Sequence, residues 1–222
     1  MMISEKAPEI LWEDEWLLAV DKPAGLVVHP TYKNASGTLL DALHARDGAT
    51  RLFLLGRLDR LTSGVVLVAK SREIYAAVQR NWQQAEKEYL AVVEGRVEPA
   101  RGDISLPLGT DPADRRRRVV RPDGAPSVTR FERLAADGDR SLLRCRPLTG
   151  RRHQIRVHLA ARGWPVVGDA VYGRALDGFP RFALHAQRVG LLHPVTGAAV
   201  RLESAVPEDI VALYPNSDTV LA

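Results

Sequence analysis

The sequence predicts an α+β fold, with a mainly antiparallel or mixed central β-sheet flanked by helices and loops. Strand-like segments outnumber helical ones, and most are followed by turns rather than by the long crossovers a parallel sheet requires. Hydrophobic residues make up 45% of 222, enough to build a packed core, and no stretch reaches the apolar length of a membrane span.

The elements follow in chain order. Ile10 to Asp21 reads as two short strands around the turn-like Glu13-Asp14-Glu15. Lys22-Pro23-Ala24-Gly25 is a turn, and Leu26 to His29 is strand-like until Pro30 stops it. Thr38 and Asp41, three residues apart, form a capping pair for a helix to about Arg46. The continuous apolar run Val65 to Ala69 predicts a buried strand. Ser71 caps a helix expected to reach about Ala85, with Ile74, Tyr75, Val78 and Trp82 at helical spacing.

Glu88 to Val93 reads as a strand with Tyr89, Ala91 and Val93 on one face. From Gly95 to Ala125 the pattern is loop-rich with short strands. Val128 to Leu134 and Ser141 to Arg146 can pair as a hairpin across Ala135 to Asp139. A helix is expected from about His153 to Arg162, then strands over Phe182 to Leu192 and Ala198 to Leu202, and a short last helix near Pro207.

Cys145 is the only cysteine, which excludes an intrachain disulfide and a thiolate metal cluster. The N-terminus has no secretory signal pattern, and a reducing, cytoplasmic location is expected. The formal net charge is +4, and 26 of the 31 basic residues are arginine. Between Asp111 and Arg156 lie 13 arginines and six acids, a local excess of +7. Concentrated positive charge is the footprint of a nucleic-acid binder, and arginine both reads phosphate and stacks on bases. Compositional bias alone produces the same count.

Two segments carry groups suited to chemistry. Asp59 lies in the polar loop Gly56-Arg57-Leu58-Asp59-Arg60-Leu61-Thr62-Ser63-Gly64, which leads into the buried strand. Flanking arginines favour an ionised carboxylate, as a nucleophile or base requires, although a solvated turn aspartate gives the same local sequence. In Leu148 to Leu159, a glycine precedes a helix with arginines in its first turns, an arrangement that attracts anions. On that helix His153 and Arg156 should share a face, and Arg152 should align with Arg156. His153 and His158, five apart, do not present two imidazoles to one metal, so no metal site is expected. Neither a Walker-type loop nor a dinucleotide fingerprint occurs, and Thr62-Ser63-Gly64 is not a nucleophile elbow.

Taken together, these segments resemble the RluA-type family of RNA pseudouridine synthases, collinearly from about Ile10 to about Pro207. Ala19 to Pro30 looks like the opening motif, with Asp21 where many members have Asn. Arg57-Leu58-Asp59-Arg60 with Thr62-Ser63-Gly64 looks like the catalytic loop, and Lys87-Glu88-Tyr89 like the lysine/arginine–x–tyrosine motif. Thr149 to His158, Pro165 to Asp169, Leu184-His185-Ala186 and His193 to Gly197 complete the series.

The resemblance implies isomerisation of uridine to pseudouridine in ribosomal or transfer RNA, without metal or cofactor. It implies that Asp59 is the catalytic aspartate, acting as nucleophile or as base. Arg156 would pair with that carboxylate, and Tyr89 would pack on the uracil and assist proton removal. Leu184 would floor the base pocket, and Arg57 would enter the RNA stack when the target nucleotide leaves it. Arg60, Arg151, Arg152 and His153 are further candidates for RNA contacts, and Arg115 to Arg118 could grip the backbone at a distance. Gly56 stands where most RluA-type members have histidine and is more like the RsuA-type branch, which bears on substrate choice.

A single catalytic domain is expected over residues 1–222, with its core at about 10–207 and no separate N-terminal RNA-binding domain. A monomer with an RNA partner and no membrane association is the matching expectation. Two rival readings remain open at this point. A non-catalytic RNA-binding module would explain the arginines but not Asp59 and Tyr89. A glycoside hydrolase would need paired carboxylates, for which Glu86, Glu88 and Asp169 are available.

Overall fold

A computed structural model describes residues 8–30, 36–48 and 51–214. Its strands are β1 (Glu9–Glu13), β2 (Leu17–Lys22), β3 (Phe53–Leu55), β4 (Ser63–Ala69), β5 (Glu86–Glu94), β6 (Arg101–Ser105), β7 (Leu108–Thr110), β8 (Arg118–Val120), β9 (Val128–Asp137), β10 (Arg140–Pro147), β11 (Leu184–Leu192) and β12 (Ala199–Glu203). Its helices are α1 (Leu39–Asp47), α2 (Arg72–Asn81), α3 (Gln154–Ala161) and α4 (Glu208–Val211). The chain divides into two compact units, residues 1–87 with 186–205 and residues 88–185 with 206–222.

In the first unit β2 pairs with β1 and β4, β3 pairs with β4, and β11 pairs with β12, all antiparallel. Alternation along these strands sorts their side chains to two faces. Leu17, Ala19, Val65, Leu67 and Ala69 meet the apolar stripe of α2, with Val78 buried and Ile74, Tyr75 and Trp82 packed around it. Leu18, Val20, Val66 and Val68 meet Leu39 and Leu43 of α1 on the other face. Covering both faces explains why β4 carries the unbroken apolar run Val65 to Ala69 and has every residue buried.

Thr38 closes the capping box that begins α1: its Oγ1 accepts from the Asp41 N–H at 3.3 Å, while Asp41 Oδ2 accepts from the Thr38 N–H at 3.0 Å. Ser71 Oγ caps α2 through the Ile74 N–H at 3.3 Å. That helix stops at Asn81, short of the expected Ala85, because Trp82 to Gln84 tighten into turns before β5. The segment Leu26 to His29 is not a strand. Its carbonyls at Val27 and Val28 accept from the Leu39 and Leu40 N–H groups at the start of α1 instead.

In the second unit β10 pairs antiparallel with β5 and β9, and β6 pairs with the outer side of β9. The β9–β10 hairpin matches its sequence signature, and β7 and β8 form a separate two-stranded ribbon in the loop-rich segment. Helix α3 is buried from Gln154 to Leu159, which its sequence, rich in polar residues, does not announce. The polar residues are bonded in series. Gln154 Nε2 donates to Thr129 Oγ1 at 3.1 Å, Thr129 Oγ1 meets His158 Nδ1 at 2.9 Å, and His158 Nε2 meets the Leu106 carbonyl at 2.9 Å. The carbonyl fixes the His158 proton on Nε2, so Nδ1 accepts from Thr129. No described helix is long and apolar enough to cross a membrane.

Candidate active site

Asp59 sits in the loop between β3 and β4, and the structure shows what makes that loop rigid. Lys22, at the end of β2, is completely buried. Its ammonium donates to the carbonyls of Pro23 at 2.8 Å, Leu26 at 3.0 Å and Arg60 at 3.2 Å. Gly25 N–H donates to the same Arg60 carbonyl at 2.7 Å, and Thr62 N–H donates to the Asp59 carbonyl at 3.0 Å. One buried charge therefore ties the Lys22 to Leu26 turn to the residue after Asp59. Burying an ammonium is costly unless its donors are satisfied, and carbonyl oxygens satisfy them. In the sequence the signal for this role is slight: a lysine at the inner end of an apolar strand.

The loop is also constrained at both ends by glycine. Gly56 has φ 94, and a Cβ there would lie 3.1 Å from the Trp82 ring. At Gly64, φ is 113 and a Cβ would lie 2.2 Å from the Ala186 carbonyl oxygen, so only glycine lets these backbones approach. Within this unit Asp59 is half-buried, and Arg57 and Arg60 are exposed beside it.

The second unit holds the remaining candidates. Arg156, 4% exposed on α3, donates from Nε to Asp169 Oδ2 at 2.7 Å and from Nη2 to Oδ1 at 2.8 Å. Asp169 Oδ1 also accepts from the N–H groups of Val171 and Tyr172, at 3.0 and 3.3 Å. The Arg156 guanidinium lies over Phe182, 4.0 Å from the ring centroid, and 4.9 Å from that of Tyr172. Asp169, Tyr172 and Phe182 thus fix this guanidinium in place, a function that no local sequence pattern signals.

His153 is not on the helix face expected for it. It caps α3 in the left-handed region, at φ 57, so it and Arg152 precede the first helical turn rather than aligning with Arg156. Its Nδ1 lies 2.7 Å from the Tyr172 hydroxyl, and Arg152 Nε donates to its Nε2 at 3.3 Å. The turn before the helix is organised by Gln154, whose Oε1 accepts from Thr149 Oγ1 and from the Arg151 N–H. Arg151 and Arg152 are exposed there, Tyr89 is half-buried on β5, and Leu184 is buried at the start of β11.

The basic segment is less unbalanced than its count. Arg116 pairs with Asp114, Arg121 with Asp123, Arg130 with Asp103, and Arg133 with Glu98. Arg144 pairs with Glu132, and Arg146 with Glu88. Arg116, through hydrogen bonds and charge, brings the Asp114 carboxyl down to about 2. These are mostly exposed pairs, each worth little and exchangeable for other anions. Glu88 is bound by Arg146 and Asp169 by Arg156, so neither is a spare carboxylate for a paired-acid hydrolase. Cys145 is buried, and desolvation pushes its thiol up to about 12, too high for a nucleophile.

A family model described as RNA pseudouridylate synthase matches residues 16–161. The ribosomal large subunit pseudouridine synthase D of Xanthomonas campestris pv. campestris is 40% identical over 224 residues, covering 92% of this chain and 67% of that protein. The protein of the same name from Nitrosomonas europaea is 42% identical, covering 92% of this chain and 64% of that one. The chain thus spans about two thirds of the length of these relatives. Among solved structures, human RNA Pseudouridylate Synthase Domain Containing 1 superposes with a TM-score of 0.74 at 27% identity, over 91% of this chain and 86% of that chain. The mixed sheet with few helices is shared with these structures. The chain belongs to the RNA pseudouridylate synthase family and is an isomerase.

Proposed function

We propose that this isomerase converts uridines of ribosomal RNA to pseudouridine with Asp59 as its reacting carboxylate. The observation that carries the reading is the clamp of Lys22 on the Arg60 carbonyl, which holds the Asp59 loop against a buried strand. A catalytic group needs such rigidity, because a small displacement from the reacting atom costs rate steeply. The names of the relatives from Xanthomonas and Nitrosomonas support the ribosomal substrate.

The reaction must break the bond from uracil nitrogen to ribose, turn the base, rejoin it through carbon, and move a proton from that carbon while the released nitrogen takes one up. A carboxylate opens it either by attacking the anomeric carbon or by taking a proton from the ribose. Arg156 serves as the cationic partner of that carboxylate, and Tyr89 and Leu184 serve the uracil. Arg57 takes the place of the departing base in the RNA stack, with Arg60, Arg151, Arg152 and His153 on the phosphates. The reaction asks for no metal or cofactor, and we propose that the protein works as a cytoplasmic monomer. Mapping pseudouridines in ribosomal RNA from cells with and without the gene tests the substrate. One or more sites should revert to uridine; an unchanged map would count against it.

A further inference from the structure

A pocket of about 450 Å³ opens in the first unit beside the Asp59 loop. That volume lies in the range of small-molecule sites and would take a nucleotide but not a duplex. Phe53, Tyr75 and Trp82 line it, together with Gln79 from the same helix as Tyr75. The Phe53 and Tyr75 rings lie 5.8 Å apart at 36°, forming one aromatic wall. All three aromatic residues are packed on the core yet remain half-exposed. His29 and Arg57 also line the pocket. Burial first, and the charge of Arg57 second, move the His29 imidazole below its ordinary pKa, so it enters as a neutral donor and acceptor.

We propose that this pocket binds one unpaired nucleobase of the substrate RNA, adjacent to the uridine being modified. The proposal rests on the reading of Asp59 as the reacting carboxylate. An aromatic wall offers stacking to any base, and an amide beside it can hydrogen-bond the base edge. Arg57 supplies a cation for the attached phosphate. An apolar side chain of a protein partner would fill the same volume but leave Gln79, His29 and Arg57 without partners from the ligand.

The location points the same way. Arg57 lines the pocket and lies two residues before Asp59, a chain distance of at most about 7 Å. The strand that delivers a uridine to Asp59 therefore passes the pocket mouth within a nucleotide or so. Gly56 keeps the pocket and the loop joined, because any side chain there would press on Trp82.

The test uses the full chain and two probes: each of the four nucleoside 5′-monophosphates, and an unstructured RNA pentamer. Binding is followed by NMR through the Trp82 indole N–H, which a Trp82→Phe variant identifies. Saturable shifts of that resonance are expected with both probes. Gln79→Ala should weaken pentamer binding several-fold, as loss of one hydrogen bond does. Tyr75→Ala should weaken it about 5- to 150-fold, the effect of removing one stacking ring. Gln79→Ala decides the matter if Tyr75→Ala fails to fold. A Trp82 signal unmoved by either probe, or equal affinity in wild type and Gln79→Ala, overturns the proposal. Pseudouridine formation by Asp59→Asn is measured alongside. Retained activity there defeats the functional reading, whereas lost activity with an unresponsive Trp82 defeats the pocket alone.

Discussion

Arg156 and Asp169 form a bidentate ion pair in which both side chains are almost wholly withdrawn from water, at 5% and 1% exposure. The two contacts of 2.7 and 2.8 Å match a guanidinium fork to a carboxylate, and two aromatic rings cover the cation. The arginine that the family resemblance marks for chemistry is thus delivered with its orientation already set.

Removing either partner should therefore be costly. Asp169→Ala is expected to lower stability by about 3–5 kcal/mol, the usual effect of leaving one buried charge unpaired. Arg156→Lys keeps the charge but loses the fork, so it should lose pseudouridine formation while remaining folded. Urea unfolding and a pseudouridine assay on the same preparations separate the two effects.

Asp59→Asn should reduce pseudouridine formation at least about 100-fold, the scale of losing a positioned acid–base group. RNA affinity should stay within about threefold, because one exposed phosphate-binding contact is worth little and this change removes none. Filter binding and quantified pseudouridine would check both, and an active variant would sink the assignment.

Lys22→Met should destabilise the protein by about 2–4 kcal/mol. It leaves the carbonyls of Pro23, Leu26 and Arg60 short of a buried donor. The same variant should lose activity, since Arg60 adjoins Asp59. Equilibrium unfolding that matched wild type would remove the argument for the clamp.

Glycine positions predict a graded series. Gly64→Ala should fail to fold, because its Cβ would sit 2.2 Å from a backbone oxygen that cannot move away. Gly37→Ala, with φ 72 and open space around it, should cost only about 1 kcal/mol. Soluble yield and thermal melts of the two variants would show the contrast.

The pH dependence has a definite sign. Burial holds the His158 imidazole below its ordinary value of 6.5, against a weaker opposing effect of its bond to Leu106. The unfolded chain therefore binds the proton more readily than the folded one. Stability should be full above about pH 6.5 and decline as pH falls from there toward the folded-state value, with His29 acting in the same direction. Denaturation at pH 7.5 and 5.5, repeated on His158→Gln, should show a smaller pH difference in the variant.

Local patterns announced much of the fold. The Thr38–Asp41 and Ser71 caps, the buried run of β4 and the β9–β10 hairpin are all short-range signals that side-chain chemistry writes into neighbouring residues. Patterns failed where a distant segment took over. Leu26 to His29 reads as a strand, yet its carbonyls are used by α1. Helix α3 carries Gln154, Arg156 and His158 and reads as an anion-attracting helix with basic first turns, yet Thr129, Leu106 and Asp169 bond these groups and allow them to be buried.

By itself, the sequence determined the α+β class, most element positions, the family and Asp59 as the carboxylate to examine. Only the tertiary structure decided how the candidates are held. Asp169 lies 13 residues from Arg156, and Lys22 is 38 residues from the carbonyl it grips beside Asp59. It also paired much of the arginine excess between Asp111 and Arg156 with acids from outside that stretch, such as Glu88, Glu98 and Asp103. Spacing along a helix or strand reports neighbours a few residues apart. The partners of a buried charge are fixed by which strands and turns the fold brings within about 3 Å, and that is not a local property of the chain.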